Sequence, residues 1–170
     1  CLLCLLIPGC ATDTHREPSP IQFTDLSAAV GLDFTHVSGT AEQRLIIESM
    51  GGGAAFLDYD SDGYLDAFVV DGTRVHSPPP QATNRLYRNI PSADGTWRRF
   101  QQVTEAAGLR RSGWGMGVAA GDYDSDGHED LYVTYWGPNQ LYHNDGRGTF
   151  TDVTGLAGGG DPRWGTSAAF

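Results

Sequence analysis

Eight of the chain's 21 acidic residues fall in two short stretches. Asp58, Asp60, Asp62 and Asp66 lie in FLDYDSDGYLD, and Asp122, Asp124, Asp126 and Asp130 lie in AGDYDSDGHED. Both contain the hexapeptide DYDSDG, at positions 64 residues apart. Aligned as D-x-D-x-D-G-x-x-D, the carboxylates at positions 1, 3, 5 and 9 converge when the chain wraps around a point, and the glycine permits the sharp turn. The backbone carbonyl at position 7, from Tyr64 or His128, supplies another oxygen. Hard oxygen donors without a Cys or His side chain favour Ca²⁺ over zinc. Carboxylates crowded this closely repel one another unless a cation sits among them. Asp, Ser and Gly also make good hairpin turns without any metal. That reading accounts for one copy better than for two in matching surroundings. The loop is not an EF-hand, because position 12, where that loop needs a bidentate Glu, is Val69 or Val133.

The surroundings of the two loops repeat as well. MGGGAAFLDYDSDGYLDAFVV (50–70) returns as WGMGVAAGDYDSDGHEDLYVT (114–134), and NRLYRN (84–89) returns as NQLYHN (139–144). FTDLSAAVGL (23–32), FQQVTEAAGL (100–109) and FTDVTGLAGG (150–159) are three versions of one segment. The runs AAFL, DAFVV, DLYVTYW, RLYRN and QLYHN are short, rich in β-branched and aromatic residues, and bounded by turn formers, which predicts strands. NDGRG predicts a hairpin turn, and TEAAG a helical turn before Gly108. Each repeat therefore supplies about four strands in roughly 50 to 65 residues, the size of one β-propeller blade. The expected fold is all-β: a partial β-propeller of about two to three four-stranded blades with calcium-binding hairpin loops. RWGTSAAF (163–170) matches the lead-in GWGMGVAA (113–120) and predicts the first strand of a third blade. Trp164 projects a third acidic loop to position 172, just past Phe170. Residues 21–170 thus read as a truncated propeller, with one blade nearly whole, most of a second, and a third cut at 170.

The formal net charge is −10, which argues against nucleic acid or an anionic membrane surface as a partner. One divalent cation in each loop would bring it to −6. Cys1, Cys4 and Cys10 all lie in the first ten residues, so disulfides do not staple the body of the protein. The opening CLLCLLIPGCA is apolar, too short to span a bilayer, and resembles the end of a signal peptide. IPGC (7–10) resembles a bacterial lipobox, making Cys10 the expected lipidation site, and residues 11–20 read as a polar tether. The expected location is exported: a cell-surface or periplasmic lipoprotein, or a secreted protein. Membrane association is expected only through that anchor.

ESMGGGAAFLDYDSDGYLD, NRLYRN and GTFTDVT resemble the cartilage acidic protein/ASPIC–UnbV family, and the repeats resemble the FG-GAP/VCBS repeats of integrin α-chain propellers. The resemblance covers residues 21–170 and implies a calcium-loop β-propeller, secreted or surface-attached. It places one calcium site on Asp58, Asp60, Asp62 and Asp66 and another on Asp122, Asp124, Asp126 and Asp130. The resemblance supplies architecture more than mechanism; the expected function is an interaction or adhesion scaffold for an extracellular protein or glycan. The competing class is a calcium-dependent propeller enzyme acting on carbohydrate, a polysaccharide lyase or sugar dehydratase. No Ser/His/Asp or Cys/His set stands out, and catalytic residues are not assigned. His36 and Glu48 read as hydrogen-bonded structural positions, Trp114 and Trp164 as packing residues, and Arg85, Arg88, Arg98 and Arg99 as a solvated face.

Overall fold

The computed structural model describes residues 22–40 and 45–170. The signal-like segment, Cys10 and the tether lie outside these residues. Two four-stranded antiparallel sheets carry the fold. The first runs in the order β1 (Ala54–Leu57), β2 (Asp66–Val69), β3 (Arg85–Pro91) and β4 (Arg98–Gln102). The second repeats the order with β5 (Gly115–Gly121), β6 (Asp130–Tyr135), β7 (Gly137–Asn144) and β8 (Phe150–Asp152). The second unit, expected to fall short of a complete blade, has all four strands. Short helices α1 (Ser27–Val30) and α2 (Thr154–Ala157) occupy equivalent places in two copies of the Phe-initiated segment. The third copy, Thr104–Gly108, is a turn that ends with Gly108 at φ +74°.

Alternation explains the strands. β2 buries Asp66 and Phe68 and turns Ala67 and Val69 towards the less buried side, the period-two pattern of a strand with one core face. The core lies between the sheets. Leu57, Phe68, Val70 and Leu86 of the first unit meet Leu131, Val133, Tyr142 and Phe150 of the second, with Leu109 of the connection among them. Burying such side chains stabilises the fold by roughly 1.5–3 kcal/mol each. The sheets approach closest at their first strands, β1 and β5. A Cβ on Gly53 would stand 3.0 Å from the Gly117 Cα, so the two backbones meet there without side chains between them. Gly117 is equally close to the third repeat, since its Cβ would stand 3.1 Å from the Ser167 Cα. Residues 163–170 thus lie against β5, and the Gly165 N–H donates to the Tyr135 carbonyl at 3.1 Å. They form no strand, contrary to the sequence expectation. That single bond is a contact and not a ladder, and a ladder is what defines a strand.

The functional consequence is positional. The first two strands of each sheet are joined at one end by residues 58–65 or 122–129, with the last register pairs at Leu57–Asp66 and Gly121–Asp130. Both acidic loops therefore occupy the same end of their sheets.

Candidate metal centres

Each loop is a compact turn held by its own carboxylates. In the first, Asp58 accepts the N–H groups of Asp62 at 3.0 Å and Gly63 at 2.9 Å, and Asp62 accepts that of Tyr64 at 3.0 Å. In the second, Asp122 accepts from Asp126 at 3.1 Å and Gly127 at 2.9 Å, and Asp126 accepts from His128 at 2.9 Å. Left-handed backbone makes the turn possible, at Ser61 and Gly63 (φ +57° and +85°) and at Ser125 and Gly127 (φ +63° and +92°). Serine adopts this conformation at a cost that glycine escapes.

The ninth position of each loop is the buried one. Asp66 and Asp130 are fully inaccessible. Asp66 accepts from the Tyr59 N–H at 3.2 Å and the Asn89 N–H at 2.7 Å. Asp130 accepts from Tyr123 at 3.0 Å and Asn144 at 2.8 Å. These carboxylates tie loop, second strand and third strand together. Burial above all, reinforced by the charges of Asp60 and Asp62, pushes the Asp66 carboxyl up to about 6 against the opposing effect of its backbone donors. Burial likewise raises Asp130 and Asp60. Oxygens of Asp58, Asp60 and Asp62 lie within 4.8 Å of one another, as do those of Asp122, Asp124 and Asp126. One oxygen of Asp60 is buried with no hydrogen-bond partner among the described residues. These oxygens fit a hard divalent cation, which would stabilise the ionised form of every carboxylate that burial disfavours.

The third strand contributes a residue that spacing alone does not reveal. Arg88 reaches Asp60 at 2.6 Å and Asp62 at 3.4 Å, so it belongs to the first loop and not to a solvated face. Its counterpart in the second unit is His143, 3.3 Å from Asp124 and Asp130 and 3.9 Å from Asp126. The available signal was the residue between Tyr and Asn in LYRN and LYHN, a nitrogen base in both copies. The remaining candidates sit elsewhere. The Tyr64 ring lies under Arg98, at 3.5 Å from ring centre to guanidinium carbon. His128 approaches Ser61 Oγ at 3.4 Å, so the two loops are neighbours. Glu129 of the second loop accepts from the Asp58 N–H at 3.1 Å, a second link between them.

Of the residues read as structural, His36, Glu48 and Trp114 behave so, and Trp164, read as a packing residue, is exposed. Glu48 accepts from the N–H groups of Leu45 at 2.9 Å and Thr40 at 3.4 Å, pinning the approach to β1. His36 pairs with the buried Asp71 at 3.1 Å. Trp114 is buried beside Ile47 and Met116. Among the described residues no helix is long and apolar enough to cross a membrane.

The unit built from acidic turn, paired strands and connecting segment is one that other proteins share. Over 64 residues the chain is 38% identical to cartilage acidic protein 1 of Mus musculus, a match covering 37% of this chain and 10% of that protein. The chain thus spans about a tenth of the length of that relative. The model of the FG-GAP-like repeat matches residues 58–133 and again 122–170, the two matches starting on the first aspartate of each acidic loop. These matches take in well over half of the sequence, and the chain belongs to the FG-GAP-like repeat family.

Proposed function

We propose that the chain is part of an exported, calcium-binding β-propeller that acts as an interaction scaffold for an extracellular protein or glycan. The two sheets are successive blades, joined at the inner strands β1 and β5. Asp58, Asp60, Asp62 and Asp66, with the Tyr64 carbonyl, hold one calcium ion. Asp122, Asp124, Asp126 and Asp130, with the His128 carbonyl, hold the second. The carrying observation is the same carboxylate-to-backbone frame in both loops, each gathering three aspartates whose oxygens lie within 4.8 Å. The ions are structural in this reading, because each closes the connection between the first two strands of a blade. Extracellular calcium modules bind at roughly 10⁻⁴ to 10⁻³ M, a range suited to calcium outside cells.

Calcium titration followed by thermal melting tests the proposal. A ligand that binds only the folded state raises its stability by about 2.7 kcal/mol at one hundred times its dissociation constant. The melting temperature should therefore climb with calcium. Isothermal titration should count two ions per chain, falling to one in Asp122→Ala. An unchanged melting temperature at millimolar calcium rules out the metal sites. Unchanged stoichiometry in the variant reassigns the ligands.

A further inference from the structure

At the end of the first sheet away from the acidic loops lies a polar cleft of about 210 Å³, bounded by Arg85 on β3, Gln102 on β4, and Thr83, Thr104, Glu105 and Arg110 beside them. Its donors are poorly matched from within. Arg85 is largely buried, with 18% of its side chain accessible. Its nearest carboxylate is that of the exposed Asp33, at 3.9 Å, and its Nη1 donates to Gln102 at a long 3.4 Å. The Arg85 Nε is buried with no partner among the described residues. A guanidinium taken out of water calls for an anionic partner with good geometry. Thr104 Oγ1 accepts from the Leu86 N–H at 2.9 Å, which leaves its hydroxyl proton free to donate. Arg110 is paired with Glu105, but both are exposed, and such pairs exchange partners at little cost.

The second unit shows that the fold does not require these cations. Its hydrogen-bond frame here is the same. The Leu141 N–H donates to Thr154 Oγ1 at 3.0 Å, as Leu86 does to Thr104, and Asn139 donates to the Asp161 carbonyl at 3.1 Å, as Asn84 does to that of Arg111 at 3.2 Å. Yet Gln140 stands in place of Arg85, Asp152 in place of Gln102, and Gly160 in place of Arg110. Gln140 donates to Asp152 at 2.8 Å, and the position is satisfied internally. One frame thus carries a self-satisfied amide–carboxylate pair in one unit and two arginines around an open cleft in the other.

We propose that the first unit's cleft binds an oxyanion, the carboxylate or sulfate group of a ligand, through Arg85 and Arg110 with Thr83, Thr104 and Gln102 as further donors. The site lies apart from the acidic loops and does not depend on a metal in them. The test is a titration of the ¹⁵N-labelled chain, with and without calcium, using sodium sulfate in one arm and sodium acetate in the other. Sodium chloride at matched ionic strength is the control. Amide shifts at Thr83, Gln102 and Thr104 should saturate in at least one arm, sulfate marking a tetrahedral preference and acetate a planar one. Arg85→Gln installs the second unit's residue and should keep the spectrum folded while weakening binding about tenfold or more, as loss of charge-assisted hydrogen bonds implies. Arg110→Gly should weaken it in the same direction. Shifts that stay linear in both anions, or an affinity unaltered by Arg85→Gln, overturn the proposal.

Discussion

The first and second acidic loops share a backbone, a set of aspartates and a buried ninth carboxylate, but different side chains face them from the third strand. Arg88 places a permanent positive charge 2.6 Å from Asp60, whereas His143 places an imidazole 3.3 Å from Asp124 and Asp130. The first loop therefore carries an internal counter-ion. The second has no permanent counter-ion in that place. Identical acidic motifs need not be equivalent sites, because the charge that decides between them enters from a strand more than a dozen residues further along the chain.

The largest effect should come from what the loops have in common. Asp66→Ala and Asp130→Ala each leave two backbone N–H groups without their acceptor inside the protein. A buried group left unsatisfied costs about 1–3 kcal/mol, so each variant should lose roughly 2–5 kcal/mol in urea unfolding, with calcium or with chelator. A loss seen only in calcium would mean that these aspartates serve the metal alone. A loss in one variant and not the other would break the equivalence of the two frames.

The next effect depends on pH. The carboxyl of Asp66 is pushed up to about 6 in the folded, metal-free chain by its burial. The folded state thus holds this proton more tightly than the unfolded state does, where an aspartate titrates near 3.9. The resulting stability is fully present below about pH 4 and is lost as pH rises through about 6. In chelator, unfolding free energy should fall over that interval by about 1–3 kcal/mol from this group. Saturating calcium should remove much of the fall, since a bound cation favours the ionised carboxylate. An equal fall with and without calcium would separate Asp66 from the metal.

Exchanging the third-strand residues is a more selective test. Arg88→His in a chain lacking the second site through Asp122→Ala should raise calcium affinity at the first loop by roughly tenfold. That follows from removing a unit charge about 5 Å from a divalent ion in a solvent-like dielectric. His143→Arg, paired with Asp58→Ala, should lower affinity at the second by a similar factor. Titration calorimetry reads both. Affinities that ignore the exchange would show Arg88 swinging clear of the loop when calcium enters.

Much of the fold and of the loops was legible in the sequence, for a physical reason. Strand alternation, turn chemistry and acidic spacing are local properties, and repetition doubled each signal. AAFL is a strand as expected, DAFVV and DLYVTYW are strands up to Val69 and Tyr135, and Asp145 in NDGRG caps the turn by accepting from the Arg147 N–H at 2.8 Å. What escaped depends on register between distant segments. Arg88 reads as a surface arginine until β2–β3 pairing sets Ala67 opposite Tyr87 and so brings the next residue to the loop. The open cleft at Arg85 is hidden in the same way, as nothing in RLYRN announces that its partners are Gln102 and Thr104. Residues 163–170 show the converse. Their apolar, repeat-like composition predicts a strand, but strand structure needs a partner ladder.

The finest difference between the loops lies in their left-handed serines. Ser61 and Ser125 both hold positive φ, where asparagine is tolerated better than serine because its short amide bonds locally to the backbone. Relief of that strain should make Ser125→Asn stabilising by a few tenths of a kcal/mol, up to about 1. Ser61→Asn should gain less, because Ser61 Oγ meets His128 Nδ1 at 3.4 Å and among the described residues Ser125 makes no such contact. Thermal melts of the two variants, measured in calcium to hold both loops closed, give the comparison. Equal gains would mean that the Ser61–His128 contact contributes nothing in solution. A smaller gain at Ser61, restored to the Ser125 value by His128→Ala, would show that the two loops support each other through that contact.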